Sequence, residues 1–572
     1  MNFENLKKTF MEKEVVFKDN MIFSKVKPHT EAIAHLEECH SGVTTANWYF
    51  AARYFGVAED ELAKGIVSEL KKLQEESGCL RWYREETYIR DTNAAFFILL
   101  PLGLTYKLCK DRLTEEEKSD ISEMLLAGAK WFAKSAKGSL HYCNKIMSDG
   151  AMLALIADVT GNYRAECDEF WKKWHKYEEE NGWGWGENTS DCYTTIMLNA
   201  LNTVIICSEG ELKNKAMEKR EKLLDYIIYH RGREFVPSIR TYNFGGDANY
   251  GGAVYSIIKD DGNADEKAVS TNIPAMLTAA LIYESGAKFD KVDESKIRKE
   301  RLFGESYAYT WKGENIRLGS VNRFPVMPCS YQNKVDGPAG LQITYGLGWQ
   351  SMPVSAMIDD KIGFFRIRTN VGGKEYCHPA LDKHSAHIFN RLFEDGNTVT
   401  FSTISAQNEN IAVVARYANK IANTASLICD EWCFDGNVSE ILVKGKKWFV
   451  AEKGNSAVAI LPLDGIFAGE TARKPLNTSI GESGKFKTVT TELYSGENKI
   501  IFAQRIESVW VVVALENASD AEKYLEKIEV SDSVLPNFEI TLAPEYKRRQ
   551  ITATDGTAHT QLLINPTAQY DF

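Results

Sequence analysis

Two hydrophobic periods divide this chain near residue 300. Before it, apolar side chains recur at three- and four-residue intervals, the spacing that lines one face of an α-helix. Asp60–Glu76, Asn93–Cys109, Thr114–Lys134, Ile146–Val159, Asp191–Cys207 and Leu212–His230 carry that pattern. Gly56, Gly78, Gly138, Gly161, Gly182, Gly210 and Gly232 punctuate them. Helices joined by short turns over so long a stretch imply a bundle, a solenoid or an α/α toroid. No fixed sequence period relates them, which counts against a regular solenoid.

After about residue 305 the pattern shortens to β-rich runs: Asn397–Ser405, Ile411–Ala418, Ser439–Val450, Ala457–Leu461, Lys487–Leu493, Lys499–Gln504, Val509–Leu515 and Phe538–Leu542. Asp395-Gly396, Asp435-Gly436, Asp464-Gly465 and Ser495-Gly496 read as the turns between them. Many strands with regular turns predict an antiparallel sandwich. Helices first and strands second argue for two domains in series rather than βαβ units, with the lysine-rich stretch Lys288–Arg301 as connector. The expected division is a helical domain over 1–300 and an antiparallel β-sandwich over 301–572.

Composition narrows the class. A chain of 572 residues is too long for one simple core. Its 44% hydrophobic and 26% charged content is that of a soluble globular protein. The 11% aromatic share suits carbohydrate contact, and large buried cores explain it almost as well. A net charge of −11 argues against nucleic acid or an anionic membrane as main partner, while leaving room for a local basic pocket. No apolar run approaches the ~20 residues that span a bilayer. The N-terminal stretch lacks the apolar core of a secretory signal, and the eleven scattered cysteines form no CxxC pair. The expectation is a cytoplasmic protein with reduced thiols that receives imported oligosaccharides.

The densest chemistry lies in Gly182–Tyr193, GWGWGENTSDCY. Trp183 and Trp185 alternate with glycines, so their rings are expected to project from a loop and meet the apolar faces of sugars. Glu187 and Tyr193 add a carboxyl and a phenol. The competing reading is an aromatic turn packed into a core.

Three segments together resemble the heparinase II/III-like and oligoalginate lyases. In His141–Asn162, Asn144 stands where that family has an Asn opening a helix, with Lys145 where His is usual. Glu187–Tyr193 resembles the next element, a Gly-rich turn with Glu followed by a helix bearing Tyr. Asn243–Tyr250, NFGGDANY, resembles a late Gly-Asp turn. The resemblance covers most of residues 85–255 and thins in the sandwich, where the family's Gly-His-x-His-x-Asp pattern is not found. It implies an (α/α) toroid followed by a β-sandwich, and cleavage of a uronate-containing glycan by β-elimination.

That reaction removes the proton beside the uronate carboxylate and expels the 4-O-linked sugar. A polar group must hold the carboxylate and stabilise the enolate-like intermediate. A base and an acid must move the protons. The resemblance gives Asn144 the first task and makes Tyr193 the acid, or both acid and base. Lys145 supplies cationic help given elsewhere by His, and His378, with His384 and His387, is the alternative base. Arg90 would point at the substrate carboxylate. Trp48, Asp247, Tyr250, Tyr331, Gln332 and Trp349 complete the candidate sugar-binding set.

Each has a plainer rival. Asn144 is placed to be a helix N-cap, and Tyr193 to be a core tyrosine. Glu187 could sit beside a helix N-terminus for its dipole alone. Asp91 or Thr92 could cap a helix with Arg90 solvated outside it. Trp48 could be core, Asp247 and Tyr250 turn formers, and the Tyr331–Trp349 loops an irregular junction. No cofactor is expected, although His378, His384, His387 and Asp382 keep a zinc ion in the sandwich under consideration. No phosphate-binding loop, dinucleotide fingerprint, HExxH or serine nucleophile elbow is present. Two other functions stay open: a toroid glycoside hydrolase using Glu187 and Asp247, and a non-catalytic carbohydrate-binding protein.

Overall fold

The computed structural model describes residues 3–24, 33–138, 140, 142–183, 186–190, 193–230, 235–238, 273–286, 293–323, 354–358, 361–371, 374–378, 398–467, 469–501, 506–535 and 548–565. Helices precede an antiparallel β region, and the chain forms two compact units. The helical unit comprises Met1–Glu180, Tyr193–Gly232 and Gly251–Asp293. The β unit comprises Asn181–Cys192, Arg233–Tyr250 and Glu294–Phe572.

The helices are α1 (Phe3–Met11), α2 (Gly42–Phe55), α3 (Asp60–Lys71), α4 (Ala94–Cys109), α5 (Glu115–Ser135), α6 (Cys143–Thr160), α7 (Arg164–Asn181), α8 (Tyr193–Cys207), α9 (Gly210–Tyr229) and α10 (Ile273–Glu284). Their burial follows their composition. α4, α6, α8 and α10 are apolar on nearly every side and buried on nearly every side. α3 is amphipathic and buries one stripe, Ala63, Ile66, Val67 and Leu70. α2 packs on α4, α4 on α6, α6 on α8, α8 on α10, and α10 returns to α2, closing a ring of inner helices. α3 and α5 lie together beside it, and α9 lies on α8. α7 reaches α6 through Gly150, where an added Cβ would stand 2.0 Å from the Phe170 ring, so only glycine permits that approach. Trp171 Nε1 donates to the Gly150 carbonyl at 3.1 Å.

Buried charge fixes this unit's geometry. Glu117, fully buried, accepts from Tyr49 Oη at 2.7 Å and from Arg53 Nη2 at 2.6 Å, and its partner Thr114 completes a capping box for α5. His175 of α7 is 3% exposed, against Trp171 and Trp174. Burial, then the charges of Lys215 and Lys219, lowers its pKa from 6.5 to about 4. The folded state therefore binds this proton less readily than the unfolded chain. Stability is lost as pH falls through that window, by about 3 kcal/mol in all. His175→Phe should show a shallower loss in denaturant melts between pH 7 and pH 4, and parallel losses in both proteins would remove His175 from the account.

A small sheet, β1 (Phe17–Lys18), β2 (Met21–Ser24) and β3 (Cys39–His40), accompanies the helices. The β unit begins with β4 (Ile297–Phe303), β5 (Ser306–Lys312), β6 (Ile316–Val321), β7 (Val354–Ile358), β8 (Lys361–Val371) and β9 (Lys374–His378). It continues with β10 (Thr398–Asn408), β11 (Ile411–Phe434), β12 (Asn437–Val443), β13 (Lys446–Lys453), β14 (Ser456–Ile466) and β15 (Lys474–Pro475). It ends with β16 (Thr478–Ser483), β17 (Phe486–Ile501), β18 (Ile506–Leu515), a short helix α11 (Ala521–Leu525), β19 (Glu529–Val534), β20 (Arg549–Thr554) and β21 (His559–Ile564).

β11 belongs to two sheets. Its first half pairs with β10 and β18, and its second half with β8 and β17. One sheet therefore runs β12-β13-β14-β18-β11, and the other runs from β11 through β8, β7, β6 and β5 to β4. Their facing side chains, among them Trp311, Leu318, Trp432, Trp510 and Val512, form one core. The alternate residues Val413, Trp448, Ala459, Val511 and Val513 form a second core with α11 and the β19–β21 sheet. The expected sandwich thus carries a third layer, and every residue of β18 is buried.

Three sequence expectations are corrected here. Ser439–Val450 is a hairpin rather than one strand, with Lys444-Gly445 as its turn. Asp464-Gly465 lies within β14, and Ser495-Gly496 lies within β17, where the pairing with β11 shifts register. The last part of the Lys288–Arg301 connector forms β4. Phe538–Leu542 and Asp395-Gly396 lie outside the described residues.

Candidate functional site

Asn144 and Tyr193 come from neighbouring inner helices. α6 starts at Cys143 with Tyr142 at the N-cap, and Tyr142 supplies no side-chain cap. Asn144 is therefore inside the first turn and is not the cap, which sets aside its plainer reading. It is 7% exposed, and its carbonyl accepts from Ser148 Oγ at 2.6 Å. Tyr193 is the first residue of α8 and is half-buried, whereas Thr194 and Thr195 after it are buried.

One contact aligns the two helices. Cys143 Sγ lies 3.9 Å from Met197 Sδ, so the N-terminal turn of α6 is beside the start of α8. Tyr193 precedes Met197 by four residues and shares its helix face, one turn nearer the N-terminus. Asn144 directly follows Cys143. The amide and the phenol thus belong to the same end of the inner ring. The N-terminal turns of both helices belong to that end, where peptide dipoles favour negative charge.

Lys145 is ion-paired within its own helix. Its Nζ donates to Asp149 Oδ2 at 2.6 Å and to Ser135 Oγ at 3.1 Å. Asp149 is fully buried, and that burial raises its carboxyl above the ordinary range, with Lys145 pulling the other way. The ammonium is held by a carboxylate one helical turn on, so its positive potential is shared with that partner. The i, i+4 spacing of Lys145 and Asp149 is the signal in the sequence that identifies this pair.

The glycine-rich segment is a packed turn where the structure describes it. Trp183 is 5% exposed, so its ring does not project as expected. Gly182 has φ +82°, and a Cβ there would stand 2.8 Å from the Leu302 carbonyl. Glu187 opens a 3-10 turn, Glu187–Thr189, all of it buried. Asn188 Nδ2 donates to Glu300 Oε1 at 3.3 Å, and Ser238 Oγ donates to the Thr189 carbonyl at 3.3 Å. Close packing against β4 has taken the aromatic residue out of water.

Trp48 is half-buried between Phe10 and Phe17, at ring distances of 5.7 and 4.8 Å, as a core residue would be. Arg90 is exposed, four residues before α4, with its guanidinium 5.5 Å from the Tyr88 ring centre. Asp91 accepts from the Asn93 N–H at 2.9 Å, but the N-cap of α4 is Asn93, without a side-chain cap bond, so neither Asp91 nor Thr92 caps the helix. His378 ends β9, paired with Ile367 of β8. Trp185, Asp247, Tyr250, Tyr331, Gln332, Trp349, Asp382, His384 and His387 lie outside the described residues.

Sequence reasoning missed a partly buried pair in the helical unit, as it missed the buried Arg53–Glu117 pair. His40 Nδ1 lies 2.6 Å from Glu85 Oε1, and Glu85 also accepts from the His40 backbone N–H. The two are distant in sequence, and no spacing rule joins them. Among the described residues no group of three His, Cys, Asp or Glu side chains gathers as for a metal, and no helix is long and apolar enough to cross a membrane.

No family model and no curated protein matches the chain. Among solved structures, heparinase III is similar at 8% identity and a TM-score of 0.45, covering 91% of this chain and 82% of that one. A chondroitin AC lyase mutant from Streptomyces coelicolor A3 is similar at 11% identity and a TM-score of 0.43, covering 97% and 84%. The endoglucanase CelQ from Clostridium thermocellum follows at 9% identity and a TM-score of 0.22, covering 83% of each chain. Scores this low leave the chemistry to be argued from the chain's own residues.

Proposed function

We propose that this chain is a lyase that cleaves a uronate-containing oligosaccharide by β-elimination. The observation that carries the reading is the Cys143–Met197 contact, which brings the first turns of α6 and α8 together and with them Asn144 and Tyr193. The Asn144 amide donates to the substrate carboxylate, where charge builds as the neighbouring proton leaves. The N-terminal turns of both helices favour the same anion. Tyr193, half-buried and polar at the start of a largely apolar helix, takes the first proton as a phenolate and, as the phenol so formed, gives it to the leaving oxygen. Lys145, paired with Asp149, steadies the first turns of α6. The likeness of three sequence segments to the heparinase II/III-like lyases supports the same assignment.

Ultraviolet absorbance during incubation with alginate, heparan, chondroitin, hyaluronan, ulvan and glucuronan oligosaccharides tests this. A conjugated double-bond signal is expected on one of them, and Tyr193→Phe is expected to reduce its rate by about 100-fold or more while the far-ultraviolet spectrum is unchanged. Cleavage without that signal would replace the lyase with a hydrolase. Unchanged turnover in Tyr193→Phe would remove the phenol from the reaction.

A further inference from the structure

The β unit holds a cavity of about 380 Å³ in its third layer, far from Asn144 and Tyr193 in sequence. It is lined by the β12–β13 hairpin, the segment after α11, and β19 and β20. Trp448 closes its floor as part of the second core. Ser531 and Thr552 are cross-strand partners in the β19–β20 ladder, and both line the cavity. Lys444 and Lys446 line the same space, with Glu529 the acidic residue of the lining.

The hairpin turn sets both lysines at the rim. Val443 pairs with Lys446, leaving a two-residue turn in which Lys444 has φ +48° and Gly445 φ +74°. Such turns favour Asn-Gly, and a lysine occupies the left-handed conformation only at a cost. Among the described residues no ion pair engages Lys444 or Lys446, whereas the neighbouring Lys447 pairs with Glu440 at 3.0 Å. Partial burial and the Lys444 charge hold the Lys446 ammonium below its ordinary value, with Glu529 opposing. Lys446 is half-buried and lies beside the exposed Lys444 charge, and an anion that joins the two would relieve that repulsion. On a chain of net charge −11 this concentration of positive charge is local.

We infer that this cavity is a second carbohydrate site, one that takes a single acidic sugar residue with its carboxylate or sulfate on Lys444 and Lys446. The space greatly exceeds a bare oxyanion, and the hydroxyls of Ser531 and Thr552 suit a ring that carries its own hydroxyls. The site is independent of the lyase reading: it would hold an acidic saccharide whether or not Asn144 and Tyr193 cleave it.

Titration calorimetry of the full chain with glucuronate, glucose and inorganic sulfate tests this. Glucuronate is expected to bind, with glucose and sulfate each at least about tenfold weaker. Lys446→Gln should weaken glucuronate by about tenfold to a hundredfold, and Lys446→Arg should retain most of the affinity. Glucose binding as well as glucuronate would overturn the role of the lysines. Sulfate binding as well as glucuronate would overturn the sugar. Binding that survives Lys446→Gln, or none by the parent protein, would overturn the site.

Discussion

Asn144→Ala is expected to lower the turnover rate by about 100- to 1,000-fold, with little change in substrate affinity. The asymmetry follows from when the amide is needed. In the ground state the carboxylate already carries its charge and is served by the two helix N-termini, whose backbone donors the substitution leaves in place. As the adjacent proton leaves, charge accumulates on the same oxygens, and the amide's bond strengthens with it. A group that acts more strongly in the transition state than in the ground state shows itself in kcat. Asn144→Asp should be worse, because a second carboxylate beside the first repels it. The plainer role is separable: Asn144 lies inside the first turn, so its loss should cost far less in thermal stability than the removal of a helix cap. A large fall in melting temperature with turnover preserved would make Asn144 a structural residue.

Arg549→Leu is expected to destabilise the β unit by about 3–5 kcal/mol, enough to shift its denaturant midpoint strongly or prevent folding. The Arg549 side chain is 1% exposed and serves three carboxylates from different strands. Its Nη1 donates to Asp464 at 2.9 Å and to Glu507 at 2.7 Å, and its Nε donates to Asp532 at 3.2 Å. Glu507 is itself fully buried and also bonded by Arg473 at 3.1 Å. Burial raises the Asp464 carboxyl above its ordinary range against the pull of Arg549, which shows how costly that site is for a lone anion. Removing the guanidinium leaves charged groups in a dry place. Arg549→Lys should recover only part of the loss, since one ammonium cannot meet three carboxylates from three directions. Replacing Glu507 by Gln in the same background should soften the defect, because fewer uncompensated charges remain. Equal midpoints for Arg549→Leu and the parent would show the cluster to be dispensable.

The helical half was legible because its inner helices are largely apolar and several of its glycines fall at helix ends. Gly56 and Gly161 take left-handed cap conformations at the close of α2 and α6, the use for which glycine is kept. α5 starts one residue from its expected limit, where Thr114 and Glu117 form a capping box. The β half was legible as strands but less so at its turns. Lys444-Gly445 hid inside an apolar run because lysine is a poor sign of a turn. Asp464-Gly465 looked like a turn, yet Gly465 sits within β14, where a Cβ would stand 2.1 Å from the Glu507 carbonyl. Glycine is there for close backbone approach, and sequence alone does not separate that use from a turn. At the candidate site, Asn144 and Tyr193 could be named from their motifs. That they share one end of the ring could not, because it depends on how α6 and α8 lie against each other. Trp183 misled for a related reason: flanking glycines permit a ring to project, and here they permit two backbones to touch.

β18 reads IESVWVVVAL, and burial on both faces is what that composition requires. One face is dried by the strands that precede it in the chain; the other is covered by α11 and the β19–β21 sheet, which are synthesised later. Until those residues follow, one face of a run of valines with one tryptophan and no proline lacks most of its cover. The third layer is therefore a cover as much as a domain element, and until it is made that face is an aggregation-prone surface.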